Sequence, residues 1–81
     1  MAYPNPFNSI FELNYSVYSD ENISINLFNV YGQKITEIVN EVFLIKGKYN
    51  VQVNLPNLNS GVYYLVMHTG DKNYSTKVVK L

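Results

Sequence analysis

Apolar and polar residues alternate with a period of two along most of this chain, the pattern of strands that bury one face. From Ile10 to Val17, Phe11, Leu13, Tyr15 and Val17 face one way, while Glu12, Asn14 and Ser16 face the other. Ile23, Ile25 and Leu27 repeat the pattern, and Tyr49, Val51, Val53 and Leu55 repeat it against Asn50, Gln52 and Asn54. Ile35 to Val39 also reads as a strand, with Ile35, Glu37 and Val39 opposed by Thr36 and Ile38. It is too short for a helix, and Thr, Ile and Val favour extended backbone. Asn40 to Lys46 is less regular and fits either a short strand or a loop packed over an edge. The run Val62-Tyr63-Tyr64-Leu65-Val66-Met67 has no charge on either face. This predicts a central strand over 62–68, inside a sheet or covered twice. Tyr74 to Leu81 forms the last strand, and Lys72, Lys77 and Lys80 mark it as an edge.

Turn chemistry separates these runs. Ser19 to Asn22, the stretch around Gly32, Gly47 and the stretch around Gly70 each carry residues that reverse the chain. Pro56 ends the preceding strand because it has no ladder donor, and Leu58 is then expected to plug the end of the core. At the start, Pro4 and Pro6 exclude helix and predict a stiff extended lead-in, with Tyr3 and Phe7 beside them to pack on the body. Tyr63 follows the Asn59-Ser60-Gly61 turn at a spacing that resembles a tyrosine corner. There the ring covers the core and the hydroxyl bonds the turn backbone. Six or seven short strands without a helix or repeat predict one all-β domain over 1–81, a small immunoglobulin-like antiparallel β-sandwich.

Composition narrows the function more than the fold. A chain of 81 residues, 47% hydrophobic with eight Tyr and four Phe, buries only roughly 60% of its unfolded surface. Tyrosine suits such a thin core because its ring is buried while its hydroxyl stays wet. With no cysteine, neither a disulfide nor a thiolate metal site is expected. Six Lys balance six acidic residues and there is no Arg, which argues against a nucleic-acid partner. No apolar run approaches the roughly 20 residues of a membrane helix, so membrane insertion is not expected. The Met1–Pro6 stretch has neither the basic nor the apolar region of a signal peptide.

The candidates for chemistry are few. His68 is the one histidine; it has no nucleophile or carboxylate arranged for it in the pattern and reads as a surface or half-buried structural residue. Asp20, Glu21 and Asn22 provide too few oxygens for calcium and read as a solvated turn. Glu12, Glu37 and Glu41 show no paired arrangement. The triplets at Asn14, Asn22 and Asn73 match the glycosylation acceptor pattern, which an Asn-rich chain produces by chance. Exposed tyrosines can stack on sugars, which keeps a carbohydrate-binding or adhesion module as the alternative function. No enzyme, cofactor or metal is expected.

Four stretches together resemble one family: Tyr3-Pro4-Asn5-Pro6-Phe7; Leu27 to Ile35 with Tyr31-Gly32-Gln33; Leu58-Asn59-Ser60-Gly61-Val62-Tyr63-Tyr64; and Lys77-Val78-Val79-Lys80-Leu81. In that order they are similar to the C-terminal sorting domain of the type IX (Por) secretion system of Bacteroidetes, type A. The resemblance implies a domain that ends a larger cargo protein. Such a domain directs the cargo through the periplasm and across the outer membrane to the surface or the medium. Its implied partners are the type IX translocon, a surface signal peptidase and the upstream cargo domain. It also implies that Lys77, Val78, Val79, Lys80 and Leu81 form the segment the translocon needs. Pro4, Pro6, Gly32, Gly61 and Tyr63 match the family's structural positions. A lysine-bearing last strand with an unpaired edge is the expected docking surface, open to strand addition.

Overall fold

The computed structural model describes residues 2–81. Seven strands follow one another: β1 (Ala2–Tyr3), β2 (Ile10–Val17), β3 (Glu21–Asn29), β4 (Lys34–Leu44), β5 (Gly47–Asn54), β6 (Gly61–Thr69) and β7 (Lys72–Lys80). No helix occurs among the described residues. One sheet has the order β1-β2-β5 and the other β4-β3-β6-β7, every pairing within them antiparallel. Their inner faces form the core of a β-sandwich.

The alternation decides what the core contains. Phe11, Leu13 and Val17 of β2 meet Ile23, Ile25 and Leu27 of β3, with Val53, Tyr63, Leu65, Val78 and the loop residue Phe7 completing the cluster. Phe7 packs on Phe11 with ring centroids 4.6 Å apart. Leu55 and Leu58 pack against the cluster where the chain leaves one sheet for the other, as the plug position requires.

Three sequence expectations are refined or corrected. β6 lies inside its sheet between β3 and β7, one of the two placements expected of it, with only one face covered. Tyr63 and Leu65 are buried, whereas Tyr64 and His68 are exposed. A sandwich of two layers has nothing to place over the outer face, so the uncharged run there is half-solvated. Secondly, the strand read over Ile35 to Val39 continues as β4 to Leu44, the strand alternative for Asn40 to Lys46, but its facing does not alternate as expected. Its pairing with β3 shifts register three times: Ile25 and Asn26 oppose Val39 and Glu37, leaving Ile38 as an extra residue. Such bulges break the period of two. They let neighbouring Ile38 and Val39 both pack toward the core while Ile35 stays 41% exposed. Thirdly, the proline lead-in is extended only at Ala2–Tyr3; it bends over 4–6, and both Tyr3-Pro4 and Asn5-Pro6 are cis.

Candidate functional site

The two ends of the domain are fastened together. Pro4 and Pro6 have no backbone N–H to offer a neighbouring strand, and the side chain of Asn5 between them supplies the missing pair. Its Nδ2 donates to the Lys77 carbonyl at 3.0 Å, and its Oδ1 accepts from the Val79 N–H at 2.9 Å. A primary amide carries one donor side and one acceptor side, so it substitutes for a peptide unit. Two residues on, backbone takes over. The Phe7 N–H donates to the Val79 carbonyl at 2.9 Å, and the Leu81 N–H donates to the Phe7 carbonyl at 2.9 Å. Phe7 and Lys80 thus form a parallel bridge, locked by a Phe7 ring that is 1% exposed.

The clasp occupies the backbone edge at Lys77–Leu81 that was expected to be unpaired. β7 is an edge strand of its sheet, but its outer backbone is engaged at Lys77, Val79 and Leu81. Val78 is 0% exposed and belongs to the core. What the segment presents to solvent is side chains: Lys77 and Leu81 are exposed, and Lys80 is half-buried with its Nζ donating to the Leu81 carbonyl at 2.9 Å.

Register gathers the remaining singled-out residues at the same end. Gly61 opposes Lys80, and Tyr63 opposes Val78 on one side and Asn29 on the other. Gly61 has φ +148, a backbone region that residues with a Cβ avoid. The Tyr63 hydroxyl donates to the Asn59 carbonyl at 2.7 Å, so the corner bond expected from the spacing is present. Asn29 then organises the turn to β4. Its Oδ1 accepts from the Tyr31 and Gln33 N–H groups at 2.9 and 3.0 Å, and Gly32 takes φ +81 inside that loop. Four stretches far apart in sequence therefore meet at one end of the sandwich. Asn5 and Asn29 were not singled out from the sequence. The available signal for Asn5 was its position as the sole side-chain hydrogen-bonding group between two residues without donors.

The other candidates stand elsewhere. His68 is exposed on the outer face of β6. Asp20 Oδ1 accepts from the Lys46 N–H at 2.8 Å, and Glu21 accepts from the Thr69 hydroxyl. Both carboxylates therefore hold turns together. Among the described residues, no group of three or more metal-ligating side chains gathers. The two most exposed tyrosines, Tyr18 and Tyr31, flank β3 at its two ends and form no platform with each other, while Tyr15, Tyr18, Tyr49 and Tyr74 line one groove.

No curated protein and no solved structure matches the chain. A family model described as the secretion system C-terminal sorting domain matches residues 1–81, and it does not favour the adhesion alternative. The family is not enzymatic, and membership implies interaction with the type IX secretion machinery. With the match running over all 81 residues and an all-strand sandwich beneath it, the chain belongs to the secretion system C-terminal sorting domain family and is a sorting signal for type IX export across the outer membrane, to the cell surface or beyond.

Proposed function

We propose that residues 1–81 are a single sorting domain carried at the end of a cargo protein, and that the type IX translocon reads the clasped end. The observation that carries this reading is the convergence of Asn5, Phe7, Gly61 and Lys77–Leu81 at one end of the sandwich. Recognition there is by side chains. Lys77 is exposed on the outer face of β7 and Lys80, half-buried, lies on the Val78 side, so the segment offers one cationic group to each face, with the exposed Leu81 at its tip. Val78 and Val79 anchor the segment, while Pro4, Pro6, Gly32, Gly61 and Tyr63 shape the surface without contacting the translocon. In this reading the domain is an address and performs no catalysis, and a surface signal peptidase removes it after export.

The test is an export assay in a host with the type IX system, using a reporter that carries a signal peptide and ends in residues 1–81. The double variant Lys77→Glu/Lys80→Glu is expected to keep the fold, because Lys77 is exposed and Lys80 lies outside the core, and to strand the reporter in the periplasm. Export at the unaltered level, with folding verified by circular dichroism, would remove the lysines from recognition. Deleting 77–81 is a poorer probe because it takes Val78 out of the core.

A further inference from the structure

The flank of the sandwich between β2 and β7 is open. β1 pairs only with Glu12 and Leu13. From Tyr15 to Val17, no described residue pairs with β2 on the side away from β5. Across the gap, β7 is exposed from Lys72 to Lys77, and the clasp reaches it only from Lys77 onward. Between the two runs a groove of about 720 Å³, reaching Ile25, Leu65 and Met67 at the bottom with Tyr15, Tyr49 and Tyr74 on its walls. An unpaired strand edge beside an apolar groove suits an added strand, which satisfies the backbone and fills the groove with alternate side chains.

The existing ladder indicates which strand. β1 runs antiparallel to β2 with Ala2 opposite Leu13 and Tyr3 opposite Glu12. Each step back from Ala2 therefore advances one residue along β2, onto Tyr15, Ser16 and Val17. Directly opposed residues of an antiparallel pair point to the same face. Leu13 is buried, and Ala2 packs against the core accordingly. Continued in the same register, the second position before Ala2 opposes Tyr15, which lines the groove, and the fourth opposes Val17, which faces the core beside it.

We infer that the polypeptide leading into Ala2 lengthens β1 along Tyr15–Val17 and seals the groove, using apolar side chains at the second and fourth positions before Ala2. The inference rests on the proposed reading of the domain as the end of a cargo-linked chain, in which this polypeptide is the linker. The linker is then a part of the sandwich, and the domain is complete only while joined to what it exports.

The test compares the 81-residue chain with two forms in which Met1 is replaced by four residues. One has Val-Thr-Val-Thr before Ala2, which sets valine at the second and fourth positions. The other has Thr-Val-Thr-Val, with identical composition and the opposite phase. Amide exchange over 15–17 is measured in each, together with thiol labelling of Thr76→Cys, a groove-lining position in a chain without native cysteine. The in-phase form is expected to slow both by roughly tenfold or more, and the out-of-phase form to behave like the 81-residue chain. Equal behaviour of the two extended forms would overturn the inference. Protection that appears in the unextended chain as concentration rises would also overturn it, in favour of a second copy. Both measurements are made on purified protein, so they stand or fall independently of the export assay.

Discussion

Asn5 shows how one side chain can act as backbone. Between two prolines it is the one residue able to satisfy both the Lys77 carbonyl and the Val79 N–H. Asn5→Ala removes both bonds at a site water can reach, so the expected loss is about 1–2 kcal/mol, with faster amide exchange at Val79. Urea titration with residue-resolved exchange checks this, and unchanged protection at Val79 would show that the clasp is held by Phe7 alone. Tyr15 offers a second measurement. Burial first, and then charge repulsion from the Tyr49 phenolate, raise its pKa above the ordinary phenol value; the two rings are stacked cross-strand partners with centroids 5.6 Å apart. A raised acid favours the folded state while it is protonated. Its contribution is therefore intact below pH ~10 and is lost as pH climbs through the folded-state pKa. Tyr15→Phe is expected to lose less stability than the parent between neutral and strongly alkaline pH, as read from thermal melts. Equal alkaline losses would place the sensitivity on other tyrosines.

At the scale of the strand, β4 is the exposed flank that the clasp leaves alone. It is the edge opposite β7, and Phe43 and the following Ile45 stand 62% and 63% exposed. Its three register shifts twist the edge and interrupt the row of backbone groups, which is how natural sheets discourage pairing with other chains. Phe43→Lys is expected to leave folding within about 0.5 kcal/mol and to reduce concentration-dependent self-association measured by sedimentation. Unchanged association would move the sticky surface elsewhere. The same bulges explain why β4 was only half legible. The Ile35 to Val39 stretch announced a strand, but an inserted residue cancels the alternation from which facing is read, so Asn40–Lys46 looked irregular. In β2, β3 and β5 no residue is skipped in the β2–β5 or β3–β6 ladders, and there the predicted inward residues are the ones found toward the core.

For the molecule as a whole, the last segment has two separable tasks. Val78 is fully buried opposite Tyr63, so Val78→Ala is expected to cost about 2 kcal/mol through lost burial and a cavity. Lys77→Glu/Lys80→Glu should leave the melting temperature nearly unchanged. Calorimetry on both variants separates folding from recognition. A large loss of stability in the lysine variant would mean that the lysines hold the fold and that export defects cannot be read as failed docking. The candidate site was legible as four separate motifs but not as one place. Sequence order says nothing about Gly61 lying opposite Lys80, or about Phe7 bridging to the same residue.

The alternation of side chains determined the strands, their inward faces and the sandwich, because a two-residue period on extended backbone leaves one way to bury the apolar set. The Asn59-to-Tyr63 spacing likewise determined the corner bond, which is local. Which strand edges are taken, and by what, was decided only in three dimensions. Edge occupancy depends on residues some seventy positions apart, such as Asn5 and Lys77, and no local pattern encodes that meeting. For that reason the last strand read as open along its length, while the folded chain closes it at 77–81 and leaves the opening farther back, beside Tyr15 and Tyr74.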